Sequence, residues 1–322
     1  MTLYQHFLGI DIGKFTFVVS LYGTKSTSEY ENSSTGIGQF VQEYKNILPS
    51  SLCVLETTGG YELEVLYSLI AQGFKAHRAD TRKVKSFIRS LGSAAKTDAL
   101  DAKALAAYGQ ERSDKLPLFE AQSKEAVELF QLVQRRSDLK ITLVAEKNRL
   151  QAPCTKLIRD GILVLIAAVK NQIDVITDKI KLIIENNPEL KRKKDILKTI
   201  PGIGDIVAFE LLILLPELGT LCRRKIASLG GVAPRANDSG KFSGYRRTGP
   251  GRCGVKPILF IAAMAARNSK THFKEFYEKL VNKGKKKMVA LTALMRKILV
   301  IANARLREEM CFEKSQQKVS AF

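Results

Sequence analysis

Ile162, Ile166, Val169, Ile173, Ile176, Ile180 and Ile183 recur at steps of four and three residues in strict alternation. A spacing that averages 3.5 keeps every one of these side chains on a single stripe of an α-helix, and such a stripe must be covered. Upstream, Leu129, Leu132, Leu139, Leu143 and Leu150 follow the same spacing, with Arg136 and Glu146 in the missing seats and Pro153 interrupting the run. The chain from 119 to 195 therefore reads as a long helical hairpin or coiled coil between two globular parts. The stripe alone does not say whether it packs on its own chain or on a second copy. An exposed seam of this length is a solubility liability, which makes residues 125–185 a candidate subunit interface.

The part before the stalk, residues 1–118, alternates strand and helix signals. Runs at 6–10, 15–21, 27–31, 52–55 and 75–77 read as strands, and runs at 36–48, 61–72, 81–90 and 98–108 read as helices, the last opened by Thr97 as its N-cap. Carboxylates punctuate this pattern. Asp11 stands where an apolar strand meets a Gly-Lys turn, Glu56 ends the most apolar strand, and Asp98 and Asp101 lie three apart on one helix face. Clustered carboxylates repel, and a hard divalent cation, Mg2+ or Mn2+, removes that cost. Each element alone is commonplace, since a strand-end Asp is usually a turn former. The combination of two strand ends and one helix points to a metal site that works on phosphodiesters.

Charge supports a polyanion as the partner. The 322 residues carry 52 Lys and Arg against 32 Asp and Glu, a net +20. Residues 201–322 hold 23 basic and 9 acidic groups, or +14, which leaves +6 for residues 1–200. Acid chemistry and phosphate-gripping charge thus concentrate in different segments. Five scattered cysteines form no CxxC pair, so neither zinc nor a disulfide framework is indicated. With no apolar run of membrane-spanning length and no signal-peptide pattern, the expected compartment is the reducing cytoplasm.

Residues 196–310 read as a second, mainly helical globular unit, followed by a polar tail over 311–322. Thr199-Ile200-Pro201-Gly202-Ile203-Gly204 ahead of an apolar helix looks like a helix-hairpin-helix element, with Gly202 and Gly204 letting backbone N–H groups approach a phosphate. Further on, Ser239 lies among glycines in a stretch with Lys241, Ser243, Arg246, Arg247 and Arg252. A small hydroxyl beside guanidinium groups is either an accessible nucleophile or an incidental residue of a basic loop, and residue chemistry alone does not choose.

Taken in order, GIDIGK, LETTGGYE, KTDALDA, TIPGIG and GVAPRANDSGK resemble the DEDD transposases of the insertion sequence one-ten family and their DNA-invertase relatives, over nearly the whole chain. The resemblance implies an RNase H-like, RuvC-like first domain in which Asp11, Glu56, Asp98 and Asp101 bind metal. It implies that Ser239, before Gly240, forms a transient phosphoserine link with DNA; Ser243 also precedes a glycine. It further implies a homotetramer in which one subunit's carboxylates face another's serine. A structured guide RNA from the element's non-coding end is implied to pair with donor and target DNA. The alternative is a RuvC-like structure-specific nuclease that cuts with metal-activated water.

Overall fold

A computed structural model describes residues 4–92, 97–240 and 242–319, and the chain divides into two compact units, Met1–Gln122 and Ser123–Phe322. The first unit is α/β. Its strands are β1 (His6–Ile12), β2 (Thr16–Leu21), β3 (Ser28–Glu31), β4 (Ser51–Glu56) and β5 (Lys75–Ala79). Its helices are α1 (Ser34–Glu43), α2 (Leu63–Ala71), α3 (Thr81–Ser90) and α4 (Asp98–Arg112). The sheet runs β3-β2-β1-β4-β5, with β1–β2 and β2–β3 antiparallel and β1–β4 and β4–β5 parallel. β1 and β4 are buried on both faces, which explains their near-continuous apolar sequence. Leu8, Ile10, Cys53 and Leu55 share one core with Ile37, Phe40, Leu66 and Leu69 of α1 and α2. On the other face, Phe7, Leu52 and Val54 pack with Val84, Phe87, Leu105 and Tyr108 of α3 and α4.

The second unit is mostly helical: α5 (Lys124–Gln151), α6 (Lys156–Asn186), α7 (Pro188–Lys198), α8 (Asp205–Leu214), α9 (Arg223–Leu229), α10 (Val255–Ala266), α11 (His272–Asn282) and α12 (Lys287–Val319). Residues 311–319, expected to belong to a polar tail, continue α12. Between α9 and α10 lie four two-residue strands that the sequence reading did not anticipate: β6 (Pro234–Arg235), β7 (Asp238–Ser239), β8 (Phe242–Ser243) and β9 (Arg247–Thr248). They pair antiparallel as β6–β9 and β7–β8. Short ladders of this kind lack the alternating apolar pattern by which strands are recognised. Among the described residues, no helix is long and apolar enough to cross a membrane.

Pro153 falls in the break between α5 and α6, which fold into a hairpin. The seam turns inward. Ile166, Val169, Ile176 and Ile180 are buried, and Val169, Ile176 and Ile180 join Leu129, Val133 and Leu139 of α5 in one core with α8, α10 and α12. The stripe that suggested a subunit interface is thus covered by its own chain. The two polar seats are buried as well, each with a partner. Arg136 donates to Glu210 Oε1 of α8 at 2.6 Å and to Thr177 Oγ1 of α6 at 2.7 Å, and Glu146 pairs with Arg149. A buried guanidinium without its carboxylate would be strongly destabilising, and this cluster links α5, α6 and α8.

Candidate functional site

Parallel register places two of the acids side by side. The last registered pair of β1 and β4 is Ile10↔Leu55, so the next residues, Asp11 and Glu56, are neighbours at the carboxyl ends of adjacent strands. Side chains alternate along a strand, which puts Asp11 on the face of Phe7 and Gly9, and Glu56 on the face of Leu52 and Val54. This is the face covered by α4. A Cβ on Gly9 would lie 2.0 Å from the Ala102 carbonyl oxygen and 2.3 Å from the Ala106 nitrogen, so the helix backbone rests directly on the strand there. At the far end, a Cβ on Gly109 would lie 2.8 Å from Val54 Cγ2 and 3.6 Å from Phe7 Cδ1. The helix therefore runs antiparallel to β1, and Asp98, one turn before Ala102, heads it at the Asp11 end.

Thr97 caps α4 by accepting from the Leu100 N–H at 3.2 Å, and Asp98 and Asp101 lie in the first turn, where the helix dipole favours negative charge. Asp98 is exposed; Asp11, Glu56 and Asp101 are half-buried. All four carboxylates thus belong to one end of one layer, although among the described residues no three acid, imidazole or thiol groups close into a ready metal cage.

Two residues that sequence reasoning missed hold the loops beside these acids. Glu62 is fully buried, and its Oε2 accepts from the Thr58 N–H at 3.1 Å, the Thr58 hydroxyl at 3.1 Å and the Gly60 N–H at 2.9 Å. Its Oε1 accepts from Arg78 Nε at 2.9 Å on β5. Burial alone would push this carboxyl up, but hydrogen bonds from the backbone and the Arg78 guanidinium outweigh it and hold the group below its ordinary value. Asn32 donates to the carbonyls of Gly13 and Tyr61, both at 3.1 Å, and so ties the loop after β1 to the loop after β4. Gly9 was also overlooked. A glycine inside an apolar strand is the available signal for such a close backbone approach.

In the second unit, Ser239 is exposed on β7, ahead of Gly240 at φ +54°. The register pairs Asp238 with Ser243 and Ser239 with Phe242. The Ser243 hydroxyl donates to Asp238 Oδ1 at 3.4 Å, and Arg246 Nη2 donates to Asp238 Oδ2 at 2.7 Å. Ser239 alternates to the other face of its strand. The base of the loop is a crossing of glycines, where a Cβ on Gly251 would lie 2.3 Å from the Gly231 nitrogen.

The expected phosphate-binding residues divide. Arg247 is exposed, and Lys241 lies outside the described residues. Arg252 departs from the expectation: it donates to Glu217 Oε2 at 2.7 Å and to the Leu214 carbonyl at 2.9 Å, so its guanidinium anchors the loop. Gly202 has a packing role of its own. Its φ is +93°, and a Cβ there would lie 2.4 Å from the Ala262 carbonyl, so the missing side chain admits α10. Gly204 heads α8 with open space around it, but Asp205 beside it pairs with Lys198 at 2.7 Å.

With these placements in hand, likeness to known proteins adds a second line of observation. A DEDD-type model named for IS110 and described as a transposase matches residues 8–157, a span that includes all four carboxylates. A model described as transposase, IS116/IS110/IS902 family, matches residues 194–278, which include Ser239. Two curated relatives, both named pilin gene-inverting protein, come from Moraxella lacunata and Moraxella bovis. Each is 28% identical over 323 residues, covering 96% of this chain and 98% of the relative.

Proposed function

The chain belongs to the IS110 family of transposases and is a DNA recombinase, and from that premise we propose that it cuts and rejoins DNA through a phosphoserine on Ser239, assisted by a divalent cation held by Asp11, Glu56, Asp98 and Asp101. The observation that carries this reading is the alignment of Asp11 and Glu56 at adjacent strand ends beneath the head of α4. The order β3-β2-β1-β4-β5, with three antiparallel-linked strands followed by two parallel ones, supports an RNase H-like fold for residues 1–118, with 119–195 as stalk and 196–310 as the serine-bearing domain.

The donor chemistry, four hard carboxylates, suits Mg2+ or Mn2+, whose charge would draw together side chains that do not close into a cage by themselves. Bound there, the cation supplies charge neutralisation and polarisation of a phosphoryl oxygen. The rest falls to side chains. Ser239 Oγ attacks phosphorus and loses its proton; one phosphorus–oxygen bond to a sugar breaks, and the departing sugar oxygen takes up a proton. A sugar hydroxyl of the exchange strand then displaces the serine, which regains its proton. The number of phosphodiester bonds is conserved, so no nucleotide hydrolysis is required. Arg247 and the basic surface of residues 201–322 grip the flanking backbone.

The working assembly in this reading is a homotetramer in the cytoplasm, directed by a structured guide RNA. The outer stripe of α6 supports assembly: Leu157, Val164, Val175 and Leu182 are exposed large apolar residues. The name of the Moraxella relatives makes inversion of a DNA segment one form the exchange can take.

Covalent trapping tests the serine. On denaturation, DNA should stay attached to the wild-type protein and to neither Ser239→Ala nor Asp11→Ala. An adduct lost only in Ser243→Ala transfers the role to Ser243. Cutting by wild type with no adduct replaces this reading with a nuclease that uses water.

A further inference from the structure

Immediately after the serine hairpin, the chain and the first turns of α12 enclose an open groove of about 510 Å3, of which the strand-exchange chemistry uses only Arg247. One wall is Pro234, Tyr245, Arg247 and Thr248; the other is the α12 face carrying Met288, Val289, Thr292, Ala293 and Arg296, with Val232 also in the lining. Its volume is within the roughly 300–1,000 Å3 typical of small-ligand pockets. The lining is largely apolar, yet Tyr245 and Met288 remain 67% and 60% exposed. Arg246, Arg247 and Arg296 stand in its walls, Arg246 being paired with Asp238, and exposed Lys285, Lys286 and Lys287 lead into α12 beside it. Among the described residues, the other five, Arg247, Arg296 and Lys285 to Lys287, have no ion-pair partner.

An apolar slot with an exposed aromatic ring and five cations without carboxylate partners among the described residues at its rim matches a ligand that is flat and apolar in one part and anionic in another. A nucleobase on its phosphate chain has that form. A duplex backbone would use the cations and leave the apolar lining wet. A second copy of this chain would bring its own net +20 toward the same cations. Position narrows the occupant further. Arg246, between Tyr245 and Arg247, bonds Asp238, the residue before Ser239.

We propose that this groove holds one unstacked base of the DNA strand beside the phosphate that Ser239 attacks, with the base on Tyr245 and its flanking phosphates on Arg247, Arg296 and the Lys285–Lys287 run. The inference rests on the serine reading for the identity of that phosphate. Unstacking a base costs a few kcal/mol and opens the backbone around the scissile bond; stacking on an aromatic side chain offsets the cost.

The test needs no cleavage. Fluorescence anisotropy compares a short single-stranded thymidine oligonucleotide with a strand of equal length made of abasic sugars, using the full chain at fixed salt. Wild type should prefer the strand with bases by about tenfold, the order of one stacked base. Tyr245→Ala should abolish that preference and leave the salt dependence of binding unchanged, while Tyr245→Phe keeps the preference. Val289→Glu, on the opposite wall, should abolish it too. Equal binding of the two strands by wild type, or a preference that survives both Tyr245→Ala and Val289→Glu, overturns the proposal. Tighter binding of the matching uridine strand overturns it in favour of RNA. Should the adduct never form while the base preference stands, the serine reading falls and the base site remains; the reverse pattern removes the base site alone.

Discussion

Replacing Gly9 by alanine adds one methyl group and tests how the carboxylate site is assembled. That Cβ would sit 2.0 Å from the Ala102 carbonyl oxygen and 2.3 Å from the Ala106 nitrogen, whereas ordinary contact begins near 3.4 Å. Both obstructing atoms are backbone, so no rotamer change relieves them. Helix α4 must retreat by about 1.4 Å, the difference between 3.4 and 2.0 Å. Overpacking of this kind costs on the order of 1–3 kcal/mol, a visible part of a typical 5–15 kcal/mol domain stability. The displaced helix takes Asp98 and Asp101 with it, and a 1 Å misplacement of a reacting group costs roughly 100-fold in rate. The measurements are the urea midpoint and the initial rate of covalent adduct formation. Gly9→Ala should lose about 2 kcal/mol and about 100-fold in rate, with DNA affinity nearly unchanged. Gly38→Ala is the control. Gly38 is exposed on α1 with nothing within 4 Å of its added Cβ, and alanine there should stabilise by up to about 1 kcal/mol. A Gly9→Ala protein with wild-type midpoint and rate would refute the close packing of α4 on β1, and with it the assembly of the site.

Neighbouring residues of α6 give a paired test of what its two faces do. Ile176, 9% exposed in the core, should on change to Asp cost several kcal/mol and unfold the second unit by circular dichroism. Val175, 56% exposed on the outer stripe, should on change to Asp leave the midpoint within about 0.5 kcal/mol and lower the mass by light scattering. An unchanged mass removes the outer stripe from the assembly. Glu62 should make the first unit sensitive to acid. Its carboxyl is held below the ordinary 4.5, so its contribution is complete above that pH and is lost as pH falls through the lower folded value. Glu62→Gln should flatten that acid limb of the urea-midpoint profile, and an unaltered limb would show that other groups set it.

Much of the first unit could be read locally. Buried strands need continuous apolar runs, Thr97 supplies the side-chain oxygen that starts α4, and Pro153 cannot continue a helix. These are properties of a few adjacent residues, and the observed β1 to β5 and α1 to α4 follow the expected order. The four acids stood out as candidates because carboxylate chemistry is local; the placement of Asp11 and Glu56 at neighbouring strand ends, with Asp98 at the head of α4 on the same end of the layer, depends on parallel register and on the absence of a side chain at Gly9. Other questions had no local answer. The 3.5-residue spacing required that the α6 seam be covered, and only the folded chain shows that α5 and the C-terminal helices cover it. A guanidinium in a basic loop looks the same in sequence whether it will meet DNA or protein. Arg252 is committed to Glu217, 35 positions earlier in the chain, whereas among the described residues Arg247 has no ion-pair partner. Gly202 read as a glycine that lets backbone N–H groups approach a phosphate, and only the fold shows that the place of its missing side chain is taken by α10. In each case the deciding atom lies far along the chain, and side-chain chemistry specifies what a residue can bind while tertiary contacts determine which partner reaches it.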